Sequence, residues 1–146
     1  VLVALPALTA LARHYHRARF TLIGGVAQLS LLAATLPVAA VWSGQQAVWL
    51  ELYQNGGISK TLAALLAPFD LAVVFTPQAD PGFLERLAAA GVAQVVWLPS
   101  FPPPSRRQSS SALQAECLQS LGLAAPPPPG RLVVPPAAAK EVRLEL

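Results

Sequence analysis

The sequence predicts an α/β fold in which a parallel sheet is covered by helices on both faces. Three observations carry this. Short apolar segments recur along the chain, and they run continuously rather than alternating with polar residues, as strands buried on both faces do. Between them lie segments rich in Ala and Leu whose apolar residues fall at helical spacing. Gly, Pro and helix-capping residues punctuate the joins. With 146 residues, 54% hydrophobic and 12% charged, the chain has the material for a sizeable core and is not disordered as a whole.

The elements follow in order. Val1–Val3 reads as the stub of a strand. Leu5, Leu8, Leu11 and Ala12 share one helical face, with Pro6 tolerated in the first turn. That helix ends in the basic cluster Arg13–Arg19, where cations suit the negative end of the helix dipole. Phe20–Ile23 is a strand closed by Gly24-Gly25. Val26, Leu29, Leu32, Ala33 and Leu36 line a second helix, stopped by Pro37, and Val38–Trp42 is a third, short strand. Ala47–Tyr53 supports one or two helical turns before Asn55-Gly56-Gly57. Ser59 caps a helix over Lys60–Leu66, which Pro68 stops. Leu71–Phe75 is the clearest buried strand. Asp80 caps a helix with Pro81 in its first position, and Gly91 follows its end. Gln94–Leu98 is the next strand. Ser109–Ser111 offer caps for a helix through Leu121, closed by Gly122. Leu132–Val134 is a short strand, and Ala137–Leu146 begins a helix. The repeated strand–helix order is Rossmann-like. Residues 1–134 are expected to form that domain, and 135–146 the start of an interdomain helix or linker.

Composition excludes several classes. One cysteine rules out an internal disulfide framework and a thiolate zinc cage. The net charge of +3 is too small to argue for nucleic acid. Residues 1–50 carry Arg13, Arg17 and Arg19 and no acid; the first carboxylate is Glu51. Ten of the 15 prolines lie between Pro99 and Pro136, so Pro102–Pro104 and Pro126–Pro129 read as stiff connectors around Ser109–Leu123. The uncharged stretch Phe20–Leu50 raises the alternative of a membrane span at Phe20–Trp42, opposed by Gly24-Gly25, Pro37 and the scattered Gln and Ser. The chain contains no Met and opens in mid-run at Val1, which suggests a piece of a longer sequence.

Ligands of an open parallel sheet bind beyond the carboxyl ends of its strands. That rule nominates Gly24, Gly25, Thr76, Gln78, Asp80, Ser100 and Arg106. Each has a plainer reading. Gly24-Gly25 opens a helix N-terminus that suits an anion, or is only a tight turn. Asp80 is a general base or a helix cap. Arg106 and Arg107 clamp a phosphate or are solvated linker charges. His14 and His16 face opposite ways on a helix and cannot hold one metal together. Their basic cluster is a solvated helix end, or it meets an anionic lipid surface or a phosphorylated partner. Cys117 reads as a buried structural thiol without a basic neighbour to activate it. No G-x-G-x-x-G, Walker lysine, HExxH, Cys-x-x-Cys or G-x-S-x-G is present.

Val1-Leu2-Val3-Ala4-Leu5-Pro6-Ala7-Leu8 with Leu11, then Ala18-Arg19-Phe20-Thr21-Leu22-Ile23-Gly24, then Ala67-Pro68-Phe69-Asp70-Leu71-Ala72-Val73-Val74, Ala90-Gly91-Val92 and Phe101-Pro102-Pro103-Pro104 occur in this order. In order and spacing they resemble bacterial family 9 glycosyltransferases, the ADP-heptose:lipopolysaccharide heptosyltransferase group. The resemblance implies the N-terminal, acceptor-side domain of a GT-B enzyme. A lipid-linked glycan would be the acceptor, and an ADP-sugar donor would be held by a C-terminal domain, without metal or other cofactor. It implies a cytoplasmic location. Separately, the acid-free first 50 residues would suit a peripheral contact with anionic lipid at the inner membrane, and the small net charge makes no case for a nucleic-acid partner. The family's catalytic Asp belongs to a Gly-Asp turn before the position of Val1, so no catalytic residue is assigned here, and the isolated chain is expected to be inactive. Gln108-Ser109-Ser110-Ser111 stands where members of the family often carry His. The alternative is a non-catalytic Rossmann-like binding or scaffold domain.

Overall fold

The structure, a computed structural model, describes residues 4–123. The strand at Val1–Val3, the connector Pro126–Pro129, the strand Leu132–Val134, the helix Ala137–Leu146 and the boundary at 134 lie outside the described residues. The chain forms two compact units, one ending at Gly44 and the other beginning at Gln45.

The first unit runs α1 (Leu5–His14), β1 (Phe20–Gly24), α2 (Val26–Ala33) and β2 (Val38–Ser43). Strands β1 and β2 are parallel, with Leu22 opposite Val41 and Ile23 opposite Trp42, and the register slips between Phe20 and Thr21. Leu22 and Val41 meet Leu5 and Leu8 from α1 and Leu29, Leu32 and Leu36 from the α2 segment in one apolar cluster. Both helices therefore cover one face of this strand pair. Successive strand residues point to opposite faces, and Ile23 on the other face is 43% exposed. The buried stripe of α1 is Leu5, Ala7, Ala10 and Leu11, rotated from the expected one: Ala12 is only half-buried. Helix α2 stops at Ala33, three residues short of the expected Leu36. Leu36 precedes Pro37, whose ring disfavours the helical conformation in the residue before it, so the last turn loosens.

In the second unit a short 3-10 helix, Ala47–Leu52, buries Trp49 and Leu52. It is followed by α3 (Lys60–Leu66), β3 (Leu71–Thr76), α4 (Pro81–Ala89), β4 (Gln94–Pro99) and α5 (Ser110–Leu118). Strands β3 and β4 are parallel and in unbroken register from Leu71 opposite Gln94 to Thr76 opposite Pro99. The caps form as the sequence predicts. Ser59 Oγ accepts from the Leu62 amide at 3.1 Å, Asp80 Oδ1 from Phe83 at 3.1 Å, and Ser109 Oγ from Ala112 at 3.2 Å. Gly91 follows α4 at φ +105°, a conformation that favours glycine. The segment after Leu118 tightens into a 3-10 turn, Gln119–Leu121, before Gly122 takes the left-handed conformation, so α5 ends sooner than expected.

The structure is thus α/β, with two parallel strand pairs and flanking helices. Among the described residues the pairs are separate, β1 with β2 and β3 with β4, rather than one continuous sheet. Apolar strand texture marks buried parallel strands but carries no information on which strands become neighbours. Phe20–Trp42, weighed as a membrane span, folds as strand, helix and strand. No helix among the described residues is long and apolar enough to cross a membrane.

One contact in the second unit was not visible in the sequence. The Glu51 carboxylate accepts from both the Ser59 amide and the Ser59 hydroxyl, each at 2.9 Å. It thereby holds the cap of α3 against the 3-10 helix that carries Glu51. Glu51→Ala is expected to destabilise the fold by about 2 kcal/mol, the scale of hydrogen bonds to a charged group. Chemical denaturation of parent and variant measures it; an unchanged midpoint would show that water replaces the carboxylate without loss.

Candidate functional site at the strand ends

At the carboxyl ends of β1 and β2 the backbones approach closely. The Gly44 amide donates to the Gly24 carbonyl at 2.8 Å. A Cβ built on Gly44 would lie 3.0 Å from the Gly24 Cα, so this backbone approach favours glycine. Gly25 is the N-cap of α2 and supplies no side-chain cap; a Cβ there would meet the Gln28 carboxamide. The exposed first turn, Val26–Gln28, offers backbone but no charged group. Gly24 thus forms the turn and Gly25 the helix start.

The carboxyl ends of β3 and β4 are built differently. A cavity of about 560 Å³ opens there, lined by Pro77, Gln78 and Ala79 after β3, by Trp97 and Pro99 of β4, by the Phe101–Pro104 loop, and by Leu113 and Cys117 of α5. Its walls are stiff for local reasons. The proline rings hold the loop's φ angles. The Trp97 indole N–H donates to Thr76 Oγ1 at 3.0 Å and lies 3.3 Å from the Thr76 carbonyl oxygen, which fixes the ring plane. Thr76 Oγ1 in turn donates to the Gln78 carbonyl at 2.7 Å, tying the first loop to the strand end. The Ser100 amide donates to the Thr76 carbonyl at 3.0 Å and extends the strand pairing by one bond. Phe101 stands at the loop, 57% exposed.

The nominated residues therefore divide. Thr76, Gln78 and Ser100 gather at one strand end, and of these Gln78 lines the cavity. The Thr76 hydroxyl and the Ser100 amide serve the frame. Asp80 caps α4, which favours the plainer of its two readings. Arg106 meets Glu116 across an exposed 2.9 Å ion pair, and Gln108 Nε2 donates to the other oxygen of the same carboxylate at 2.7 Å. The guanidinium, read as a phosphate clamp or a solvated linker charge, here links the proline loop to α5. Gln108 precedes the N-cap of α5 and Glu116 lies in its last turn, and the loop before the helix folds back along it to reach that carboxylate.

Trp97, Phe101 and Glu116 were missed by sequence reasoning. Trp97 is one apolar residue among several in its strand, and nothing in the spacing shows that its ring faces the strand-end cavity. Phe101 had a signal, being an aromatic residue in a proline loop directly after a strand. Among the described residues no three His, Cys, Asp or Glu gather as metal ligands would.

Cys117 is half-buried rather than fully buried. Burial pushes its thiol pKa up, the neighbouring Glu116 charge pushes the same way, and Arg106 offsets part of the rise. The expected absence of a basic neighbour is corrected: Arg106 is close enough to act, but burial and Glu116 outweigh it. The reactive form is the thiolate, so alkylation of Cys117 should be slow at neutral pH and climb with pH beyond the ordinary thiol range. Glu116→Gln removes a charge that raises the pKa and should speed alkylation at fixed pH; Arg106→Gln should slow it. Iodoacetamide labelling followed by mass spectrometry checks both signs.

No protein-family model matches this chain, and no curated protein or solved structure matches it.

Proposed function

We propose that this chain is the acceptor-side, Rossmann-like domain of a GT-B glycosyltransferase similar to the family 9 heptosyltransferases, working in lipopolysaccharide or other envelope glycan synthesis on the cytoplasmic side of the inner membrane. The observation that carries the reading is the cavity beyond the carboxyl ends of the parallel strands β3 and β4, the position at which α/β sheets take ligands. Its size falls in the range of small-molecule sites, and its lining is mainly apolar with Gln78 as a polar group. Trp97 and Phe101 offer apolar faces to the carbon face of a sugar ring, and the Gln78 carboxamide both donates to and accepts from hydroxyls.

Transfer requires an acceptor hydroxyl to lose its proton as it attacks the anomeric carbon and the nucleotide diphosphate leaves. Asp80, the one carboxylate among the nominated residues, is engaged as a cap. On this reading the base and the ADP-sugar pocket therefore belong to other parts of the enzyme, and the described residues hold and orient the acceptor. A non-catalytic scaffold is the second reading. It is favoured by one observation: Thr76, Asp80 and Arg106 all make structural bonds.

Titration of the 15N-labelled chain with a lipopolysaccharide core oligosaccharide separates the two. The acceptor reading expects shifts at the Trp97 indole and the Gln78 carboxamide. Shifts from an ADP-sugar at micromolar concentration would overturn the acceptor-side assignment, and silence with both ligands would favour the scaffold.

A further inference from the structure

The segment Arg13–Arg19 was absorbed by neither reading. The formal net charge of the chain is +3. Apart from Arg13, Arg17 and Arg19, the sequence carries equal numbers of basic and acidic side chains, so these three arginines hold the entire excess. All three are exposed, as are His14 and His16. They share one compact turn at the end of α1, where the Tyr15 amide donates to the Leu11 carbonyl and the Ala18 amide to the Tyr15 carbonyl, both at 2.8 Å. The described residues of the first unit include no carboxylate. Seven residues span at most about 25 Å even when extended, and less in a turn, so the three charges lie within roughly two or three Debye lengths of one another. Tyr15, half-buried, packs edge-on against His14 with ring centroids 4.6 Å apart, which sets an aromatic pair among the cations.

We infer that this turn is a contact for an anionic phospholipid surface. A bilayer leaflet with acidic headgroups attracts a point-like cluster of cations, each Arg adding its share near the surface. Guanidinium pairs with headgroup phosphate through parallel hydrogen bonds, and a Tyr at such a tip suits the headgroup depth. A nucleic acid is the poorer fit. Its affinity grows with the number of phosphates neutralised along a track, and the described residues of this unit offer three arginines, gathered in one turn. The contact deepens the proposed function by bringing the domain to the membrane that carries a lipid-linked acceptor. It rests on charge placement in the first unit alone, so it is tested apart from the strand-end cavity.

The test is co-sedimentation of the full chain with phosphatidylcholine vesicles, with and without phosphatidylglycerol. Binding is expected only to the anionic vesicles and should weaken as salt rises. Arg17→Gln should lower the partition coefficient about fivefold, and the combined Arg13→Gln, Arg17→Gln, Arg19→Gln variant about 100-fold. The corresponding triple Lys variant should retain binding, and circular dichroism of each variant confirms that the fold is intact. Equal binding to neutral vesicles, a folded triple Gln variant that binds like the parent, or tighter capture by a duplex oligonucleotide at the same salt would each overturn the inference. Loss of vesicle binding would leave the oligosaccharide titration untouched, so the two ideas fail separately.

Discussion

Gln114→Glu is expected to lose about 4 kcal/mol of stability at neutral pH and to recover most of it in acid. Gln114 sits on α5 fully buried, and its Nε2 donates to the Pro99 carbonyl at 3.2 Å. Its Oε1 is buried with no partner among the described residues. A buried glutamate there is disfavoured in its ionised form, because the hydrogen-bond partner that faces it is a carbonyl. Protonated, its O–H can donate to Pro99 much as the amide does. Burial therefore raises the folded carboxyl pKa above the unfolded value of about 4.3. The sign follows: stability is fully present below the unfolded pKa and falls by about 1.4 kcal/mol for each pH unit above it, until the folded pKa is reached. Chemical denaturation of Gln114→Glu at a series of pH values measures this. A flat pH profile would mean that the carboxylate finds solvent or a cation, contrary to the burial. Gln114→Met is the control. It keeps the length of the side chain, loses one hydrogen bond and removes the unpaired oxygen, so it should lie within about 1 kcal/mol of the parent.

Gln114 also shows where legibility ended. Leu118 and Leu121 lie four and seven positions after it, so helical periodicity puts Gln114 on the buried side. Its amide chemistry argues for the surface, and burial won because Pro99 supplies an acceptor at that depth. The caps at Ser59, Asp80 and Ser109 were legible because each depends on a local oxygen and an amide three residues on. Gly91 was legible because the chain must leave a helix there. The strand segments were legible from their continuous apolar texture. Partner choice was not: β1 pairs with β2 and β3 with β4, and no local pattern encodes which strand lies beside which.

The candidate site was legible as a place rather than as a set of side chains. The strand-end rule led to the loops at Thr76–Asp80 and Ser100–Arg107, and the cavity lies between them. The polar residues in those loops drew attention, yet the structure uses Thr76 to lock Trp97, Asp80 to start α4 and Arg106 to hold Glu116. Turn and cap chemistry employs the same residue types as ligand chemistry. Only the folded geometry tells which use prevails.

Leu98→Ala carries the second large expectation. Leu98 is completely buried in β4, between Trp97 and Pro99, which both line the cavity. Adjacent strand residues face opposite ways, so the Leu98 side chain supports the sheet from the face away from Trp97. Truncation removes three carbons' worth of buried surface and leaves a void that the parallel pair can only partly close, at a cost of about 2–5 kcal/mol. For a folding unit of this size that corresponds to a fall in Tm of roughly 10 °C or more. The effect should be structural. The Trp97 indole keeps its bonds to Thr76, so in the folded fraction its amide and indole resonances should stay near their parent positions, and oligosaccharide shifts should persist well below the lowered Tm. Loss of the Trp97 indole resonance at temperatures where the variant is still folded would show instead that Leu98 sets the cavity wall itself. In that case the strand-end frame would depend on core packing beneath it, and not only on the Thr76 bonds that face it.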